Sequence, residues 1–274
     1  MSYGLNFAFR TSTREFVAQR AISAKAIRAG RAGAADFDLA LPSAGRPSQA
    51  HLTYWSAASR TDGQLLGYWV PQGGYCDIPK ASARRPFVFT PDFSGCSLLV
   101  DQIDDETYRV YHVQGGSGRL QPEYYARHAS APRRLGLAAA MTFGDYGHGC
   151  GDRFAEGQVR TERRGFAFLK YEQGRWWIYF QGQHELTDLN CAPSQDPLSL
   201  GVRNGGRIPV ADLTCEVPRV NARHDPQLER KRNEACLPAN APLHDLPISR
   251  RLKAQRRLLP NDEVWAGFAP MFGH

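Results

Sequence analysis

Seven short segments between His51 and Asp188 set the strongest limit on how this chain can fold. HLTYWSA, QLLGYWV, RPFVFT, CSLLVDQI, TYRVYHV, GFAFLKYE and RWWIYFQG start at His51, Gln64, Arg85, Cys96, Thr107, Gly165 and Arg175. Each is rich in aromatic or β-branched residues and is bounded by turn formers, which is the pattern of a strand. They predict an α/β protein built on a mixed, largely antiparallel β-sandwich flanked by helices. A chain of 274 residues hides roughly 70–75% of its unfolded surface and needs no metal or disulfide to fold. Outside the strands, Ser12 and Glu15 form a capping box for a basic helix over 13–29, with Gly30 as its stop. Residues 30–50 read as linker, and Pro132–Met141 reads as a helix. Two further helices are expected near Pro226–Ala235 and Ile248–Leu259. The division expected is therefore a basic helix and linker over 1–50, a β-rich domain over 51–215, and a basic C-terminal extension over 216–274 packed on it.

Charge and cysteines narrow the function. The chain carries 34 Lys and Arg against 27 Asp and Glu, a net +7. From Arg219 to Arg257 there are ten Lys/Arg and four Asp/Glu, a local +6, but no aromatic residues interleave with them. A stacking platform for nucleic acid needs that interleaving, so no nucleic acid is expected and the stretch reads as a solvated basic surface. Arg163-Arg164 and Arg256-Arg257 likewise read as solvated charges. No apolar run approaches the ~20 residues of a membrane-spanning helix. The N-terminus, MSYGLNFAFRTSTREF, lacks the pattern of a cleavable secretory signal. Cys76, Cys96, Cys150, Cys191, Cys215 and Cys236 include no CxxC pair, which argues against a zinc ribbon or thioredoxin-type site. His148 and Cys150 in YGHGCGD lack further ligands at metal spacing. No metal or cofactor is expected, and this Gly-rich loop reads as the rim of a site.

The chemistry concentrates in FVFTPDFSGCSLLVDQIDDETYRVYHV, residues 87–113. It reads as a strand, a tight turn and a β-hairpin whose three-residue tip is Asp104, Asp105 and Glu106. That tip pairs Ile103 with Thr107 and puts Cys96, Leu98, Val100, Tyr108, Val110 and His112 on one face. Cys96 then lies diagonal to His112. A thiolate is the nucleophile, and a thiol of pKa ~8.5 needs a base at neutral pH. A neighbouring histidine takes that proton and returns it to a leaving group. Gly95 lets the backbone approach a substrate carbonyl closely, and amides of the Ser94–Gly95 turn are the expected oxyanion donors.

Phe93-Ser94-Gly95-Cys96 with His112 sixteen residues on resembles the (L/F)SGC signature of the cytotoxic necrotizing factor and Burkholderia lethal factor-type glutamine deamidases. The resemblance implies a deamidase-toxin-like fold with Cys96 and His112 as the catalytic pair. In the lethal-factor branch a threonine six residues before the cysteine is the third member, and Thr90 stands at that offset. It further implies a cofactor-free bacterial effector toxin that converts glutamine to glutamate in a target protein. Export would follow a signal-peptide-independent route, with action in the target-cell cytoplasm. A monomer is expected, with an immunity or chaperone protein as a possible further partner. Transamidation is a close variant.

Small carboxamides offer few atoms, so recognition must come from walls around the site. The loops Gln114–Arg119, Phe143–Arg153 and Gln181–Asn190 are expected to supply them, with Gln114 beside the substrate, and the +7 charge to favour an acidic target face. Trp176 and Trp177 read as core. Two alternatives stand. A papain-like amidase would place Cys96 at the start of a helix beside His184. A non-enzymatic module would bind through the basic C-terminal stretch.

Overall fold

The computed structural model describes residues 2–27, 30–42, 47–55, 63–114, 135–148, 153–156, 159–188, 199–214 and 263–265. All seven expected strands are present. They are β3 (Gln49–Tyr54), β4 (Leu65–Trp69), β6 (Phe87–Phe89), β7 (Ser97–Gln102), β8 (Thr107–Val113), β11 (Val159–Glu172) and β12 (Arg175–Asp188). Also present are β1 (Ala21–Ser23), β2 (Gly33–Ala40), β5 (Tyr75–Pro79), β9 (Gly136–Met141), β10 (Arg153–Glu156), β13 (Ser199–Pro209) and β14 (Glu263–Trp265). Among the described residues they form a ten-stranded sheet, β1-β3-β2-β4-β6-β11-β12-β13-β14 with β10 on β11, and a four-stranded sheet, β5-β8-β7-β9. Among the described strands only β1–β3 and β4–β6 pair in parallel, so the arrangement is mixed and largely antiparallel.

The centre of the large sheet is covered on both faces, which is why its strands read as continuous apolar runs. Side chains alternate faces along a strand. Phe87 and Phe89 of β6, Phe166 and Phe168 of β11, and Trp177 and Tyr179 of β12 share a core with Phe9, Phe16 and Val17 of the N-terminal helices. Val88, Ala167, Leu169, Trp176, Ile178 and Phe180 point the other way, into a second core with Leu98, Val100, Tyr108 and Val110 of the small sheet. Both tryptophans are thus core, one on each side. β11 and β12 join through Gln173 and Gly174, which have φ of 54° and 80° and match a two-residue hairpin turn.

Several local expectations are corrected. The N-terminal helix is two helices, α1 (Ser2–Thr11) and α2 (Thr13–Gln19), and the chain then extends as β1. Ser12 makes no side-chain cap, and fully buried Ile22 gains more from packing beside β3 than from another helical turn. The expected linker contains β2, whose Phe37 and Leu39 are fully buried, so the large sheet runs across residue 50. Gly136–Met141 is a strand, not a helix. Its alanines are buried along the whole segment, leaving no polar face for an amphipathic helix. The Gly-rich segment 199–209 pairs along β12 despite low strand propensity. β14, in the basic C-terminal extension, pairs with β13; the two helices expected before it lie outside the described residues.

Phe9 ties α1 to the sheet, its ring 4.9 Å from Phe168 and 5.3 Å from Phe87. Replacing this fully buried ring by alanine should cost about 3–5 kcal/mol, measured by chemical denaturation. A cost near zero would mean that the N-terminal helices are an appendage.

Candidate active site

The hairpin register is the one its tip dictates. Ile103 N–H donates to Thr107 O at 2.9 Å, and Leu98 pairs with His112. Cys96, two residues before Leu98, is diagonal to His112 on the inner face, and its neighbours on that face all lie in the sandwich core. Cys96 is 4% exposed and His112 0%. Cys96 opens a strand, unlike the helix start that the papain-like alternative requires. His184 lies on β12 opposite Arg163, and burial, with Arg203 and Arg163 nearby, holds its imidazole below the ordinary value.

Thr90 follows β6, and strand alternation turns it inward beside Val88. Its Oγ1 lies 2.6 Å from His112 Nδ1 and also donates to Val70 O at 2.8 Å. A hydroxyl has one proton. With that proton on Val70 O, Thr90 accepts from Nδ1–H, and neutral His112 keeps its Nε2 lone pair bare. Nε2 is buried and makes no hydrogen bond. Phe93 covers the ring, with centroids 4.4 Å apart and planes 1° from parallel. Burial pushes the imidazole down to about 3, so it is neutral at physiological pH.

The turn that presents Cys96 is fixed from several directions. Gly95 has φ +90°, a conformation that favours glycine. Phe93 makes a two-way backbone bridge to Gly165, at 2.7 and 2.9 Å. Tyr146 Oη accepts Gly95 N–H at 2.8 Å and donates to Cys96 O at 3.0 Å. Burial, and then the nearby Cys96, push this phenol up, so it keeps the proton it donates. Asp92 accepts from Ser23 Oγ and Ala24 N–H, each at 2.7 Å. Ser94 Oγ donates to Glu162 at 2.7 Å. Arg164, expected as a solvated charge, instead pairs with Glu185 and lies 3.6 Å from Asp92. Burial would raise Glu185, but Arg164 and Lys25 overcome it and hold the carboxyl at about 2.

Thr90 is therefore brought against His112, and the register puts Cys96 diagonal to that histidine on the same face. Gly95 and Ser94 precede Cys96, but the Gly95 amide faces Tyr146 and the Ser94 hydroxyl faces Glu162. Gln114 is exposed just beyond the hairpin, and a Cβ on Gly73 would lie 3.1 Å from its Nε2. His148 is at the rim as expected: its Nε2 is 3.3 Å from where a Gly95 Cβ would be, and its Nδ1 bonds Arg163 O at 3.0 Å. Cys76 and Cys96 form no disulfide; Cys150, Cys191, Cys215 and Cys236 lie outside the described residues, as does most of Gln114–Arg119. Among the described residues no group of His, Cys, Asp and Glu is placed to hold a metal, and no helix is long and apolar enough to cross a membrane.

Sequence reasoning missed two neighbours of Cys96. One is Tyr146. The other is Gln72, whose Nε2 lies 4.0 Å from Cys96 Sγ. Tyr146 left one signal in the glycines around it: a Cβ at Gly165 would lie 2.7 Å from its ring, and one at Gly182 would lie 2.6 Å from its carbonyl.

Residues 48–120, spanning β3 to β8, match the family model of the Mcf1 activator-binding domain. No curated protein matches the chain. Among solved structures, the C-terminal domain of CNFy from Yersinia pseudotuberculosis is similar at 9% identity and a TM-score of 0.32, over 76% of this chain and 98% of that domain.

The hydrogen bonding makes a prediction about His112. Nitrogen NMR should show a protonated Nδ1 and a bare Nε2 from about pH 8 down to about pH 5, where an unperturbed histidine titrates. Thr90→Val should erase that tautomer preference. Because the folded imidazole resists protonation to about 3, the unfolded chain binds the extra proton below ~6.5. His112 should therefore lower stability as pH falls below that value, by at most about 1.4 kcal/mol per pH unit. A His112→Gln protein should show a shallower acid slope in denaturation.

Proposed function

We propose that this protein is a cysteine-dependent protein-glutamine deamidase, acting as a bacterial effector toxin on a target protein in the recipient-cell cytoplasm after signal-peptide-independent export. The observation that carries this reading is the Thr90–His112 bond. It leaves a bare imidazole nitrogen on the face shared with a buried thiol. The FSGC turn and the offset of Thr90 add to it.

In the reaction, Cys96 Sγ attacks the carboxamide carbon while its proton moves to His112 Nε2, and the carbonyl π pair moves to oxygen. Collapse re-forms the carbonyl and breaks the C–N bond. The imidazolium returns its proton to nitrogen, and ammonia leaves. Water then gives a proton to His112 and adds to the thioester; the C–S bond breaks and the thiol is restored with that proton. The products are a glutamate side chain and ammonia, with no electron transfer. Thr90 holds the ring through each proton exchange. The nucleophile lies on a buried strand end, so selectivity rests on surrounding walls such as Gln114 and the 143–148 turn.

The test is mass spectrometry of candidate target proteins, seeking the mass increase of about 1 Da that marks glutamine becoming glutamate, together with ammonia release. Cys96→Ser should fold normally and lose activity by at least about 10³-fold. A folded target should be turned over far faster than a peptide spanning the same glutamine. Full activity in the serine protein would refute the nucleophile. Equal rates on protein and peptide would point to a small-amide hydrolase.

A binding role for the same segment has separate support, since residues 48–120 are similar to a domain named for binding an activator. In that reading the partner docks on β3–β8, and Cys96→Ser leaves both binding and biological effect intact.

A further inference from the structure

Attack on a carboxamide carbon places charge on the carbonyl oxygen, and stabilising it requires a hydrogen-bond donor held in position beforehand. The turn before Cys96 does not offer the Gly95 amide for this, because that N–H is given to Tyr146 Oη at 2.8 Å. Nor does it offer the Ser94 hydroxyl, which donates to Glu162. Gln72 approaches from another connector, with its amide nitrogen 4.0 Å from Cys96 Sγ. We infer that Gln72 Nε2 is the oxyanion donor for acyl transfer at Cys96, an inference that rests on the thiol chemistry proposed above.

The distance fits the task. An oxyanion donor belongs about 2.7–3.1 Å from the charged oxygen, and that oxygen is one carbon removed from sulfur. A donor 4.0 Å from the sulfur before substrate enters is within reach of it. The support is also suitable. Gln72 sits on the connector between β4 and β5, where Gly74 N–H donates to Pro71 O at 2.9 Å. Gly73 N–H donates to His112 O at 2.9 Å, and His112 N–H donates to Gly74 O at 3.1 Å. Donor and base therefore sit on two backbone segments bonded to each other, and Gly73, at φ +69°, gives the connector its turn. Gln72 is itself exposed, so its reach over a buried thiol is not a by-product of core packing. In the covalent step, the thiolate adds to carbon and the π pair reaches oxygen, where the Gln72 N–H meets it. The same pair re-forms the carbonyl when ammonia departs.

Two small probes separate this role from that of the nucleophile. Iodoacetamide alkylates a thiolate by displacement, with no oxyanion. p-Nitrophenyl acetate acylates it through a tetrahedral oxyanion. Both are read on the Cys96 peptide by mass spectrometry, with Cys76 as the slow internal reference, since burial pushes its thiol up to about 11. Gln72→Ala should slow acylation at least about tenfold while alkylation stays within about twofold. Gln72→Glu should be slowed at least as much, because a carboxylate fills the space, donates nothing and repels the oxyanion. Unchanged acylation, or acylation and alkylation altered by one common factor, would overturn the role of Gln72 and leave the nucleophile standing. Wild-type Cys96 reacting no faster than Cys76 with either reagent would overturn the thiol chemistry itself, and this inference with it.

Discussion

The single proton of the Thr90 hydroxyl sets the state of the histidine beside it. Given to Val70 O, it leaves only a lone pair for His112 Nδ1, and so decides which imidazole nitrogen is bare. The bond also joins the two layers of the protein. Thr90 ends the β6 stretch of the large sheet, and His112 lies on β8 of the small one. The alternation that sends Phe87 and Phe89 toward the helices and Val88 toward the small sheet places the Thr90 hydroxyl inward. Burial of the large sheet on both faces is therefore what sets the donor–acceptor distance. A one-residue slip of β6 against β11 would turn Thr90 away from the histidine.

The buried ion pairs around Arg164 serve placement more than stability. Charges removed from water lose solvation that their mutual attraction seldom exceeds, whereas breaking one such pair costs about 3–5 kcal/mol. Arg164 and Glu185 pair on adjacent strands of the large sheet, Lys25 joins at 2.9 Å, and Asp92 reaches them from the turn before Cys96. Asp92 also takes the Ala24 amide. The segment after β1 is in this way bound to the residues just before Cys96. Arg163-Arg164 illustrates why charge in a sequence is a poor guide to solvation. Within one strand, neighbouring arginines face opposite layers, and the one on the helix side finds two carboxylates.

The parts of the site legible in the sequence are those fixed by local geometry. A three-residue tip fixes hairpin register, so the shared face of Cys96 and His112 followed from counting. Thr90 was reachable through its offset within the same 27 residues. Gln72 and Tyr146 were not, because they approach from connectors 24 and 50 residues away, and no local periodicity encodes which loops meet. The missed strands share another cause. β1, β9 and β13 are short, alanine-rich or glycine-rich, and they are held by partners distant in sequence rather than by their own propensity.

A histidine driven down to about 3 by burial changes how the pair must operate. A resting thiolate–imidazolium pair, as in highly activated thiol enzymes, requires a protonated ring, and here the interior disfavours that ring strongly. Phe93 lies flat against the imidazole at 4.4 Å, so no water on that face can solvate the cation. On the proposed chemistry, proton transfer from Cys96 to Nε2 is coupled to attack, when new negative charge appears on substrate oxygen beside the forming imidazolium. Coulomb attraction between charges a few ångströms apart in a site of low dielectric offsets the cost of making them.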